Sequence, residues 1–185
     1  MKRYRRRLPH WDAPGTPTFV TWRLWGSLPR TRVFSPEHLT SGEAFAAWDR
    51  LLDSCTSGPS YLRQPEIGLL VTDQLHQLDA EALCSLHAYV VMPNHVHLLW
   101  TPHVPLAELV SRAKGPTALR ANRILHRVGK PFWQPEYFDR LARSEAEIAR
   151  IRRYIEWNPV KAGLAVHPED FPWSSAHAST TEGGL

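Results

Sequence analysis

Val90-Val91-Met92-Pro93-Asn94-His95-Val96-His97-Leu98-Leu99-Trp100 is the stretch on which the reading of this chain turns. Side chains alternate along a strand, so in an extended run His95 and His97 share one face while Val96 and Leu98 share the other. Two imidazoles at i and i+2 on a rigid element can reach one divalent ion. The same two residues can also line a polar sheet face or satisfy local hydrogen bonds, so the pair alone leaves both readings open. A second apolar, β-prone run occupies residues 86–91, and the Met92-Pro93-Asn94 that separates the two runs supplies turn residues. An antiparallel hairpin over 86–91 and 95–100, near the centre of a sheet, is the predicted structure.

Upstream of the hairpin, residues 16–24 are rich in β-branched and aromatic side chains and predict a first strand, ended by Trp25-Gly26-Ser27-Leu28-Pro29. Ser35-Pro36-Glu37 offers a helix start, and Phe45, Trp48, Leu51 and Leu52 continue at helical spacing to a stop before Gly58-Pro59. Residues 65–78 predict another helix, with Ile67, Leu70, Val71, Leu75 and Leu78 on one stripe. Downstream, residues 105–128 predict a long basic helix carrying Arg112, Lys114, Arg120, Arg123 and Arg127, kinked or divided at Gly115-Pro116. An aromatic-rich segment follows, with a short edge strand near 137–141. Ser144 with Glu147 three residues on predicts a capping box, followed by the stripe Ile148, Ile151 and Ile155. That helix must stop near Asn158, because Pro159 has no amide hydrogen and disfavours a helical residue before it. The tail after His167 reads as a wrap or a frayed end.

A chain of 185 residues suits one domain, read here as 1–185 with a basic arm over 1–12 and a C-terminal tail over 167–185. Lys and Arg outnumber Asp and Glu by 22 to 18, a mild excess that leans toward an anionic partner. Its placement says more. Lys2, Arg3, Arg5, Arg6 and Arg7 surround Tyr4 in a segment with no hydrophobic period, which is either solvated or laid along phosphates with the ring stacking on a base. Cys55 and Cys84 form neither a disulfide framework nor a thiolate metal site, which fits a reducing compartment. No run approaches about 18 apolar residues and no h-region follows the basic start. The expected location is therefore cytoplasmic, with no membrane contact.

The C-terminal helix supplies the complement of the histidine pair. Arg150, Tyr154 and Asn158 lie at i, i+4 and i+8 and project from nearly one face. Each alone is ordinary: a charge, a core-edge ring, a helix end. With His95 and His97 they fit one chemistry, in which two imidazoles and an amide oxygen hold a divalent cation beside a phenol nucleophile. A phosphodiester resists attack until its oxygens are neutralised and an oxygen nucleophile is aligned. Mixed nitrogen and oxygen ligands suit Mg²⁺ or Mn²⁺, although imidazole also suits zinc. A phenol with a reference pKa of about 10 needs activation to serve as the nucleophile. A zinc hydrolase would need a third strong ligand and an acidic base, for which Asp139 and Glu156 are the nearby residues.

Met92-Pro93-Asn94-His95-Val96-His97-Leu98-Leu99, Phe132-Trp133-Gln134, Tyr154 through Leu164 and Phe171-Pro172-Trp173-Ser174-Ser175 together resemble the REP-associated tyrosine transposases, members of the single-tyrosine HUH (His-hydrophobic-His) superfamily. The resemblance takes in the first strand and its turn and omits roughly residues 33–63. It implies an α/β (α+β), ferredoxin-like or RRM-like fold of the HUH endonuclease type, with a central antiparallel sheet flanked by helices. By position it implies Tyr154 as nucleophile and His95, His97 and Asn158 as metal ligands. The implied activity is cleavage and rejoining of single-stranded DNA at a hairpin-forming repetitive palindrome, through a 5′-phosphotyrosine and a free 3′-hydroxyl, by a monomer or homodimer. The arm and Arg112, Lys114, Arg120, Arg123 and Arg150 are the expected DNA contacts. The alternative reading is a DNA or RNA hairpin binder with the same fold that does not cleave.

Overall fold

The computed structural model describes residues 2–5, 9–28, 52 and 58–177, and of residues 2–5 and 9 the backbone alone. Strands β1 (Lys2–Arg5) and β2 (Pro9–Asp12) pair antiparallel as an N-terminal hairpin. Strands β3 (Thr18–Arg23), β4 (Cys84–Val91), β5 (His95–Pro102) and β6 (Phe138–Leu141) form the main sheet in the order β4-β5-β3-β6, each neighbouring pair antiparallel. Helix α1 (Pro65–Ala80) joins β3 to β4, and α2 (Leu106–Ile124) joins β5 to β6. That βαββαβ sequence with this strand order is the ferredoxin-like arrangement. Helices α3 (Glu145–Glu156) and α4 (Asn158–Lys161) follow.

The alternation of β5 decides what lies on each face. Val96, Leu98 and Trp100 join Val20 and Trp22 of β3 and Leu24 just beyond it and pack under α1 and α2, whose Ile67, Leu70, Val71, Leu75, Leu106, Leu109 and Val110 close the core. The intervening residues point the other way. Phe19, Val90 and Leu99 pack there with Ile148, Ile151 and Ile155 of α3. Register places Thr21 opposite His97 and Arg23 opposite His95 on that same face.

Both sheet edges are covered, as edges with unpaired amides must be to avoid adventitious pairing. At β6 the Trp11 amide donates to Asp139 Oδ2 at 2.9 Å. At β4 the segment around Ser174 takes the same role: the Val91 amide donates to the Trp173 carbonyl at 2.9 Å and the Tyr89 amide to Ser175 Oγ at 3.2 Å. The tail is thus a wrap as far as His177.

Three expectations shift, and the basic arm gains a described structure: residues 2–5 and 9–12 pair as a hairpin, because backbone pairing needs no apolar period and His10 anchors it by burial against Asp139. Gly115-Pro116 does not divide α2. Pro116 forfeits a single amide bond, while Leu109, Ala113, Thr117 and Ala121 hold that face of the helix in the core. The hairpin begins earlier, at Cys84, and carries a bulge between Leu86 and Ala88. Helix α3 stops at Glu156; the chain turns at Trp157 and restarts, so Asn158 opens α4. The helix expected over 36–57 lies outside the described residues apart from Leu52, as do Arg6, Arg7 and residues 178–185.

Candidate functional site

His95 and His97 sit fully buried on the α3 face of the sheet, their Nε2 atoms facing each other at 2.9 Å. Each ring is held at its other nitrogen. Nδ1 of His95 meets Asn94 Oδ1 at 2.6 Å, and Nδ1 of His97 meets Thr21 Oγ1 at 2.7 Å. The Asn94 amide nitrogen donates to the Leu52 carbonyl at 3.0 Å, which fixes the carboxamide so that its oxygen faces the imidazole. The amide oxygen at His95 Nδ1 selects the tautomer whose lone pair is on Nε2, the Thr21 hydroxyl fixes the His97 ring, and outer support of this kind is what orients histidines that ligate metals. Cis ligands about 2.1 Å from an octahedral ion are separated by about 3 Å, so the spacing of the pair suits one divalent cation. The donor set fits the group the sequence implies.

Tyr154 approaches the pair from α3. Its ring lies 5.7 Å from that of His97 and 6.1 Å from that of Phe19, edge-on to both. The ammonium of Lys161 sits over the ring at 4.8 Å from its centroid, a cation–π contact. Asn158, fully buried, follows one turn after Tyr154. Beside the phenol lies an open recess of about 180 Å³ lined by Phe19, Phe138, Arg140, Arg150, Ile151 and Tyr154.

Glu147 organises the cationic rim of that recess. Ser144 caps α3 by accepting the Glu147 amide at 3.2 Å, as the capping box predicts, but the reciprocal bond goes one residue back, from the Arg143 amide to Glu147 Oε2 at 3.0 Å. The other carboxylate oxygen takes Arg140 Nη2 at 2.7 Å and has Arg150 Nη2 at 3.8 Å. The Arg143 amide, with the charge of Arg140, holds this carboxyl below the usual glutamate range. Two guanidiniums and an ammonium against one carboxylate leave the neighbourhood of Tyr154 positive, which suits charge building on an attacked phosphate.

The structure brings His95, His97, Tyr154 and Arg150 to one side of the sheet. It puts the other expected DNA contacts elsewhere. Arg112, Lys114, Arg120 and Arg123 lie on α2, across the sheet from the phenol, and the side chains of Lys2, Arg3 and Arg5 are outside the described residues. Arg120 and Arg123 are exposed, Arg112 pairs with Glu108, and Lys114 donates to the carbonyls of Gln134 and Pro135 at 2.7 and 3.1 Å, pinning the loop before β6. Asp139 is on the face opposite the phenol, bound to His10, and Glu156, its carboxyl pushed up by burial, hydrogen-bonds Ser175 at the β4 edge. Among the described residues no three His, Cys, Asp or Glu side chains gather as a metal site, so the zinc hydrolase lacks its third strong ligand there.

Asn94, Thr21, Arg140, Phe138 and Lys161 escaped the sequence reading of the site. Asn94 was legible as an amide beside a histidine. Phe138 and Arg140 stand at i and i+2 of a strand, but nothing in sequence says which face the pair shares with Tyr154.

A family model described as "Transposase IS200 like" matches residues 61–158. A REP-associated tyrosine transposase of Escherichia coli (strain K12) is 29% identical over 100 residues, 54% of this chain; the match spans 58% of that relative's own length. A solved REP-associated tyrosine transposase bound to a REP hairpin shares the fold with a TM-score of 0.63 at 19% identity, covering 100% of this chain and 88% of the other.

Proposed function

The chain belongs to the IS200-like transposase family, and on that premise we propose that it is a metal-dependent endonuclease and strand transferase for single-stranded, hairpin-forming repetitive palindromic DNA. The facing Nε2 atoms carry the reading. His95 Nδ1 faces the Asn94 carboxamide oxygen, which leaves its Nε2 lone pair free to face His97 Nε2 at 2.9 Å, and the pair can ligate one divalent cation in cis positions. His95 and His97 would hold Mg²⁺ or Mn²⁺, with the amide oxygen of Asn158 as an oxygen ligand. The bound ion supplies charge neutralisation and polarisation at a phosphoryl oxygen.

The protein's own groups do the rest. Tyr154 Oη attacks the phosphorus, a phenolic O–P bond forms as the P–O3′ bond breaks, and the departing 3′-oxygen takes up a proton as the phenol loses one. The 5′-phosphate stays on Tyr154, conserving the bond for rejoining to another 3′-hydroxyl. Lys161, Arg140 and Arg150 offset negative charge at the phenol and phosphate. The solved relative holds a REP hairpin, and the basic α2 and N-terminal segment of this chain, whose phosphate contacts would add salt-dependent affinity, support the same class of partner.

Labelled single-stranded hairpin DNA from around the source gene, incubated with protein and Mn²⁺ and run on a denaturing gel, tests this. The expected result is a protease-sensitive shifted band that Tyr154→Phe abolishes. An adduct that persists in the variant overturns the nucleophile; no adduct with hairpin binding intact transfers the reading to a binder that does not cleave.

A further inference from the structure

We propose that the recess beside Tyr154 is a seat for one unpaired nucleotide flanking the scissile phosphate, with Arg140 and Arg150 on its phosphate and Phe138 and Ile151 against its base. The inference rests on the DNA-processing reading above. Its volume, about 180 Å³, is below the roughly 300–1,000 Å³ of pockets that enclose drug-sized ligands, so the open recess has room for one small unit, a base beside its phosphate at the rim, and not for a longer stretch of strand. Its lining divides in two. Phe19, Phe138 and Ile151 make an apolar wall, and Arg140 and Arg150 make a cationic rim. A flat base joined to a phosphate is the ligand with both characters, and aromatic rings read bases of any sequence by stacking.

In the protein alone the rim already gathers around an anionic oxygen. Both guanidiniums converge on Glu147 Oε1, while Arg140 and Arg150 remain 47% and 72% exposed and the carboxylate only 13%. Glu147 is anchored from behind by the Arg143 amide, so it presents Arg140 from β6 toward α3 and the phenol. One carboxylate leaves one positive charge uncompensated, and a guanidinium fork can take a phosphate oxygen while keeping its tether. Glu147 is therefore a positioning residue, and Arg140 a direct contact. Phe138 and Arg140 alternate with Asp139, whose carboxylate holds the N-terminal hairpin from the opposite face, which fixes the strand that presents them.

The test separates binding from chemistry by measuring affinities in the Tyr154→Phe background and nicking, separately, with Tyr154 intact. Fluorescence anisotropy compares a labelled DNA hairpin carrying single-stranded extensions on both sides with the same hairpin trimmed blunt. Arg140→Gln is expected to weaken binding of the extended DNA about tenfold, to lower its salt slope by about 0.7, the single-strand value for one phosphate, and to leave the blunt hairpin unchanged. Glu147→Gln should cost the extended DNA a smaller factor. Phe138→Leu, which keeps an apolar side chain, should weaken the extended DNA and have no effect once the extension is made abasic. Equal loss on both DNAs, or none, overturns the seat; so does a wild-type rim that binds extended and blunt hairpins alike. If nicking fails while the extension-dependent loss in Arg140→Gln persists, the catalytic reading falls and the seat stands. If nicking is intact while affinities ignore the extension, the seat falls alone.

Discussion

The two faces of β5 are buried to the same degree and built for opposite purposes. Val96, Leu98 and Trp100 are 0% exposed, and so are His95 and His97 one residue out of phase. Exposure therefore does not distinguish scaffold from site. What does is chemistry: one face is filled with side chains that need no partner, the other with imidazoles whose every ring nitrogen is aimed at something. Buried polar groups are costly unless satisfied, so a pair this carefully held is a feature the fold maintains against a cheaper apolar alternative. The covers differ as well. Along α1 the core takes Ile67, Leu70, Val71, Leu75 and Leu78, whereas α3 buries Ile155 alone outright. The helix that carries the phenol is the lightly held one.

The sharpest way to break this contrast is to truncate one side chain on each face. Leu98→Ala leaves a cavity under α1 and α2 and is expected to cost about 2–5 kcal/mol, read as a lower urea midpoint with an unchanged m-value. Tyr154→Phe keeps the ring contacts with Phe19 and His97, so its stability should move by less than about 1 kcal/mol. Comparable losses from both would show that the α3 face is as much scaffold as the other.

The seam between the faces responds next. Gly68 of α1 lies under the ring of Trp173, and a Cβ there would fall 2.6 Å from a ring carbon. Alanine is the better helix former by about 1 kcal/mol, yet overpacking against a rigid indole costs about 1–3 kcal/mol. Gly68→Ala should therefore destabilise. The loss should show first as faster hydrogen exchange at the Val91 amide, whose acceptor is the Trp173 carbonyl. Uniform acceleration across β5 as well would mean that the tail is no separate cover.

The sequence makes the period of each element visible and hides what crosses between elements. The alternation at residues 95–100 and the isoleucine stripe of α3 are local, so the histidine face and the helix facing it were both readable. The anchor of His97 is Thr21, 76 positions away, and no spacing rule connects them. Pro116 reads as a breaker because its local cost is visible, while the core contacts of Ala113, Thr117 and Ala121 that outweigh it are not. The N-terminal hairpin has no apolar period to read; its hold is long-range, through buried His10 and the Trp11 amide on the carboxylate of Asp139, 129 and 128 residues away. Arg140 reads as surface charge until β6 and α3 are placed side by side.

The two sheet edges extend the contrast to its smallest expected effect. Neutral hydrogen bonds cover β4, whereas β6 is held by His10 Nδ1 on Asp139 Oδ1 at 2.5 Å, with Glu136 Oε2 at 3.4 Å from the other ring nitrogen and Tyr137 packed on the ring. Burial pushes the imidazole pKa down, but the hydrogen bond and charge of Asp139, with those of Glu136, more than offset it and raise it above the usual 6.5. A raised pKa means that the folded state holds the proton more tightly than the unfolded one. The stabilisation is complete below about 6.5 and drains away as pH rises through the folded value. The Tm of the wild type should thus exceed that of His10→Gln by an amount that shrinks as pH rises from about 6 to 9, on a scale of roughly 2–4 °C per kcal/mol for a chain of this length. The amides of Tyr89 and Val91 at the β4 edge should keep their exchange protection relative to the Trp11 amide at β6 over the same range. A wild-type margin that stays constant with pH would make the β6 latch as neutral as the β4 cover, and the two edges would then differ in residue type alone.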